Sequence, residues 1–320
     1  MARADVIVSL VKTAMGGDMV SFRKIVEAVI AEERSKNHLI LADRLNVLLN
    51  DIPVTQHRQT PIAQNGSKDL IFEITPQKKL SELVLDESIV TSINELVEEH
   101  QRTDVLKSYG LTPRNKILFA GPPGNGKTTL AEAVAYELMY PMLVIRYDSL
   151  IGSYLGETAA RLKKVFDIAR TQRCVLFFDE FETLGKERGD TRETGEIKRV
   201  VSSLLLQIDR LPSHTVVITA SNHPELLDRA VWRRFQIKVE LVNPTKQQII
   251  VFLEMFEKKT SFSFKRSLTT LANKLKDGNF AEIEDFCIDV LRQAILQKKQ
   301  DNPKIIIDSR LKNWEDRFSA

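Results

Sequence analysis

Gly121-Pro122-Pro123-Gly124-Asn125-Gly126-Lys127-Thr128 decides how the rest of the chain is read. Three glycines in eight residues let the backbone curl until successive N–H groups face a single point, which is what a multiply charged anion requires. The lysine and hydroxyl stand at the spacing G-x-x-x-x-G-K-[ST]. Lys127 is placed to reach the β- and γ-phosphates of a nucleoside triphosphate, and Thr128 to hold Mg²⁺. A bare string of this kind can arise by chance, so the flanks matter. Lys116 to Ala120 is a short apolar run that reads as a buried strand. Thr128 to Leu138 has apolar residues at helical spacing. Such a helix would turn its positive end toward the same anion.

Downstream, the apolar run Val175 to Phe178 ends on Asp179 and Glu180. A buried strand closing on two carboxylates is costly unless they are used. Beside a phosphate loop, Asp179 is placed to join Thr128 around Mg²⁺, and Glu180 to orient and deprotonate an attacking water. Taken alone, both would read as solvated residues at a strand end. A further strand, Thr215 to Ser221, ends at Asn222. A parallel sheet gathers its strand C-termini on one rim, where ligands bind, so Asn222 is expected beside the γ-phosphate. Its plainer reading is a turn residue before His223 and Pro224. Arg233 and Arg234 follow, between a helix and a strand. They read either as cations lent to a neighbouring molecule's transition state or as a solvated basic corner, and position in the sequence does not choose.

Around these motifs, residues 1–50 read as an N-terminal helical module of three helices. Their apolar faces are Ile7, Leu10, Val11 and Ala14; Phe22, Ile25, Val26, Val29 and Ile30; and Leu41, Leu45, Leu48 and Leu49. Residues 51–68 are polar, carry two prolines and lack a period, as a linker does. Residues 69–243 read as an α/β nucleotide-binding subdomain. Its strands are expected at Lys116–Ala120, Met142–Tyr147, Cys174–Phe178, Thr215–Ser221 and Gln236–Leu241, and a helix at Leu83 to His100. Strands alternating with helices mean a parallel sheet covered on both faces. Residues 244–320 read as a helical lid, with an extended piece at Lys304–Ile307.

A net charge of +3 over 320 residues gives no argument for nucleic acid or an acidic membrane surface. No apolar run approaches a membrane span, and Val6 to Val11 lacks a cleavage-site pattern, so the expected location is cytoplasmic. Cys174 and Cys287 form no metal or redox motif and are expected to be buried thiols.

The order of phosphate loop, Asp-Glu strand, Asn strand and Arg-Arg-Phe segment resembles the AAA+ ATPases, and within them the AAA clade of ring-forming protein remodellers. The resemblance covers roughly residues 80 to 300. It implies a P-loop NTPase core, ATP and Mg²⁺ as ligands, and a homo-oligomeric ring, usually a hexamer. It makes Arg233 and Arg234 fingers acting in the neighbour's site, and Asn222 a sensor residue. Pro122, Pro123, Asn125, Thr129 and, in the lid, Ala281 join the ATP contacts by the same resemblance. Ser149 to Glu157 is similar to the family's first pore loop. Its core here is Tyr154-Leu155-Gly156, an aromatic that grips a polypeptide and a glycine that lets the loop move. Without the resemblance, Tyr154 would read as packing under the next helix. Gly195 to Leu205 resembles the helix after the second pore loop. One departure stands out: the family's Ser-Gly-Ala-Asp lid segment is here Asn279-Phe280-Ala281-Glu282, so Phe280 replaces a glycine and would tighten the adenosine pocket.

These readings imply ATP hydrolysis coupled to remodelling, unfolding or disassembly of a protein substrate. An alternative is a regulatory switch that recruits an effector. The compact layout is similar to bacterial stand-alone AAA proteins, some of which accompany a protease in defence or plasmid-maintenance systems. A DNA-acting loader is opposed by the small net charge and by Tyr154.

Overall fold

The computed structural model describes residues 25, 26, 28–30, 70–145, 155–184, 202–299 and 302–318. The chain divides into two compact units, Met1–Ile62 and Ala63–Ala320. In the first, the described residues are helical, and Val26, Val29 and Ile30 are buried. That spacing marks one helix face. The other two expected helices and the 51–68 linker lie outside the described residues.

Among the described residues, the second unit is built on six strands: β1 (Ile71–Ile74), β2 (Lys116–Ala120), β3 (Met142–Ile145), β4 (Cys174–Phe178), β5 (Thr215–Ser221) and β6 (Ile237–Glu240), in the order β1-β3-β4-β5-β2-β6. Five of them run parallel, as expected. The sixth, β1, is an antiparallel edge strand on β3, with Ile71 opposite Ile145. It is four residues long, and the sequence reading placed no strand there. β2, β4 and β5 begin and end at the expected residues. β6 is shorter by one residue at each end, and β3 is described as far as Ile145.

Alternation explains why these strands read as unbroken apolar runs. On β4, Cys174, Leu176 and Phe178 face one cluster, while Val175 and Phe177 face another, and all five are fully buried. The first cluster is closed by Leu162, Val165, Phe166 and Ala169 of α4 (Leu155–Arg170) and by Leu204, Leu205 and Ile208 of α5 (202–209). The second is closed by Ile89, Ile93 and Leu96 of α1 (Glu87–Gln101) and by Leu130, Ala131 and Val134 of α3 (Lys127–Leu138). A short helix, α2 (Thr103–Ser108), follows α1. The helix expected from Leu83 begins at Glu87 instead, because Leu83 and Leu85 pack their side chains against the second cluster on the approach.

After α6 (Arg229–Arg234) and β6, four helices form a third core: α7 (Lys246–Thr260), α8 (Leu268–Leu275), α9 (Phe280–Leu296) and α10 (Lys304–Phe318). The extended piece expected at Lys304–Ile307 is the first turn of α10. Three consecutive isoleucines favour strand locally. Ile306 and Ile307, with Leu311 and Trp314 further on, make a helical stripe buried in the lid core, and that packing prevails; Ile305 stays exposed. Cys174 and Cys287 are buried as expected. Burial pushes the Cys174 thiol up to about 12 and that of Cys287 up as well. Among the described residues, no helix is long and apolar enough to cross a membrane.

Leu176 sits at full burial in the middle of β4. Leu176→Ala should cost about 2–5 kcal/mol, read as a lower urea midpoint with an unchanged slope.

Candidate active site

Parallel register brings three strand ends to one place. Ala120 of β2 lies opposite Ser221 of β5, and Phe178 of β4 lies opposite Thr219. The residues that follow, Gly121, Asp179 and Asn222, therefore emerge side by side. The Gly121 N–H donates to the Ser221 carbonyl (3.2 Å), extending the ladder by one bond. Gly121 has a φ of 134°, and a Cβ there would collide with the Leu241 carbonyl oxygen just past β6. The start of the loop is thus wedged between two strands, and only glycine fits.

Lys127, the first residue of α3, is buried. Its ammonium donates to the carbonyls of Gly121 (2.7 Å) and Pro122 (2.9 Å), so it lies folded over its own loop. Burial lowers its pKa from the ordinary lysine value, and the charges of Asp179 and Glu182 pull the other way. Thr128 Oγ1 donates to Asp179 Oδ2 (3.0 Å), and the Glu180 N–H donates to Asp179 Oδ1 (2.9 Å). A hydroxyl and a carboxylate held together are the hard oxygen donors that Mg²⁺ takes from proteins alongside phosphates, so Thr128 and Asp179 fit that ion. Glu180 has a φ of 45°, in the left-handed region that non-glycine residues seldom enter. The chain turns sharply there, away from the line of β4, into the 3-10 turn Phe181–Leu184.

That turn carries a residue the sequence reading passed over. Glu182 is only 3 % exposed, and its Oε1 accepts the Asn222 N–H (3.1 Å). The available signal was a third carboxylate two positions beyond Asp179-Glu180, separated from them by the apolar Phe181.

The lid meets the loop at its own helix start. Asn279 caps α9, its Oδ1 accepting the Glu282 N–H (2.9 Å), while Glu282 Oε2 accepts the Asn279 N–H (2.9 Å). The same Asn279 side chain lies where a Cβ on Gly124 would stand, 2.5 Å away. The Ala281 N–H donates to the Gly124 carbonyl (2.9 Å). Ala281, expected among the ATP contacts, therefore spends its N–H on the loop. Phe280 is half-buried with its ring against Phe252, 5.7 Å between centroids. Asn125 is buried in the loop, and its Nδ2 donates to Asn243 (2.9 Å).

Arg233 and Arg234 close α6 and stand apart from this group. The Arg234 guanidinium pairs with Asp209 (3.0 Å), which also pairs with Lys116 at the start of β2 (3.2 Å). Lys116 is five extended residues, roughly 16 Å, from Gly121. Arg233 is exposed. Tyr154 lies outside the described residues, as does 195–201 of the second pore-loop segment. Leu155 and Gly156, read above as loop, form the first turn of α4.

Residues 117–243 match the family model for the ATPase family associated with various cellular activities (AAA). The chain is also 37 % identical over 306 residues, 94 % of its length, to an uncharacterized AAA family ATPase, y4kL, of Sinorhizobium fredii, and covers 92 % of that protein. The chain belongs to the AAA family of ATPases. ATP hydrolysis is thus the chemistry of this chain. Other AAA relatives match in part. Peroxisomal ATPase pex6 of Schizosaccharomyces pombe is 36 % identical over 210 residues, which are 61 % of this chain and 22 % of that protein. A putative 26S proteasome regulatory subunit homolog of Methanocaldococcus jannaschii is 26 % identical over 244 residues, 73 % of this chain and 66 % of its own.

Asn279 serves the α9 cap and the loop contact together. Asn279→Ala should cost about 0.5–2 kcal/mol of stability and weaken binding of a fluorescent ATP analogue, both read on the same preparation.

Proposed function

We propose that this chain is an ATP-driven motor that remodels protein substrates as a ring, probing its substrate with Tyr154. The observation that carries the shared-site part of this reading is the separation of the two arginines from their own phosphate loop. The phosphate loop, the Asp179-Glu180 pair and Asn222 converge, while Arg233 and Arg234 sit by the opposite end of β2. A γ-phosphate at such a site gains its last cations from a neighbouring subunit. In phosphoryl transfer a finger of this kind contributes about 10³–10⁵ in rate. A closed ring of identical subunits supplies one to every site.

Within the site, Lys127 leaves the Gly121 and Pro122 carbonyls to meet the β- and γ-phosphates. Thr128 and Asp179 would hold Mg²⁺, which neutralises charge on the phosphate oxygens when bound. Glu180 accepts the proton of the attacking water, and the Asn222 side chain orients that water. The lid follows the loop through Asn279 and Ala281, so a change of loop shape on hydrolysis reaches α9 directly. Protein as substrate is supported by the Tyr154-Leu155-Gly156 segment and by relatives named as a peroxisomal ATPase and a proteasome regulatory subunit homolog. ATP and Mg²⁺ are the ligands, a homo-hexamer is the assembly, and the cytoplasm is the compartment of this proposal.

Glu180→Gln should bind ATP normally and turn over at least about 100-fold more slowly. Mixed with the Arg233→Ala/Arg234→Ala double variant, it should regain activity. Random mixing pairs an intact Glu180 with an intact neighbouring arginine pair at about a quarter of sites. A mixture as inactive as its parts rules out sharing between subunits. Tyr154→Ala should leave hydrolysis within about twofold of the parent and abolish unfolding of a protein substrate trapped by Glu180→Gln; survival of unfolding removes the gripping role.

A further inference from the structure

β4 ends two residues before β5 does. Phe178 pairs with Thr219, after which the chain turns away at Glu180, while β5 continues through Ala220 and Ser221 to Asn222. Backbone groups of successive strand residues point to alternate sides. The Ser221 carbonyl points toward β2, where it accepts from Gly121. The Asn222 N–H therefore points to the other side, toward the place β4 has left. A part-buried N–H facing that gap needs another acceptor. It finds Glu182 Oε1, carried back by the 3-10 turn from β4 itself.

We propose that Glu182 is a positioning residue for ATP hydrolysis, holding the Asn222 end of β5 against the Asp179-Glu180 end of β4. It completes the ladder with a side chain where no strand remains. The reach of one carboxylate thereby sets the distance between the group that activates water and the group that orients it. Among the described residues, Glu182 Oε2 is buried without a hydrogen-bond partner. Lys127 experiences the charge of Glu182 together with that of Asp179.

This inference rests on the reading of Asn222 as the residue that orients water. Its test is a double-mutant cycle on the full chain with ATP and Mg²⁺, using Glu182→Met, which keeps the volume and removes the acceptor, and Asn222→Ala. Glu182→Met should lower kcat at least about tenfold while Kd for a fluorescent ATP analogue and Tm change little. Glu182→Gln, which keeps an oxygen for the Asn222 N–H, should restore kcat to within about threefold. The double variant should be no slower than the slower single one, because both act through the same residue. Losses that multiply, or a Glu182→Met kcat within twofold of the parent, overturn the positioning role and leave the Asn222 reading standing. A silent Asn222→Ala overturns the Asn222 reading itself. If Glu182→Met lowers Tm and ATP affinity along with kcat, Glu182 is structural and the proposal fails.

Discussion

The register of three parallel strands governs this molecule. Ala120 against Ser221 and Phe178 against Thr219 put the phosphate loop, the carboxylate pair and Asn222 on one rim. Alternation makes that register strict, because both faces of the sheet are buried under helices. A slip of one residue would turn Phe177 and Phe178 each into the other's cluster and displace Asp179 from Thr128. The core and the chemistry therefore share one constraint. The hydrophobic packing that stabilises β4 and β5 also sets the distance between the side chains at their ends.

The lid depends on that rim in turn. Its helices have a core of their own, with Phe264, Leu271 and Ile283 fully buried, yet α9 begins directly on the phosphate loop. One asparagine satisfies the helix start and fills the space beside Gly124. Phe280, the next residue, packs its ring on Phe252 of α7. The join between lid and loop is thus made from a polar cap on one side and an aromatic pair on the other.

Much of this was legible in the chain itself, because the decisive segments combine period, length and punctuation. β2, β4 and β5 are apolar runs that stop at a glycine, an aspartate and an asparagine, and their limits fall at the residues expected. The parts that were not legible depend on contacts distant in sequence. β1 is four residues whose identity as a strand comes from pairing with β3, some seventy residues later. Ile305 to Ile307 have strand-forming side chains, and only the lid core makes them helical. Glu182 reads as an ordinary polar residue after a carboxylate pair; its burial and its bond to Asn222 arise from the turn at Glu180. The placement of Arg233 and Arg234 away from the loop required the sheet order, since β6 returns beside β2 with its start at the far rim.

Lys127, folded onto the Gly121 and Pro122 carbonyls, has a consequence for the loop itself. A buried ammonium without partners would carry a heavy desolvation penalty. Here the loop offers it two acceptors of its own, five and six residues back along the chain. One side chain thus ties the end of β2 to the first turn of α3, and the glycine curl between them is held by the charge it encloses.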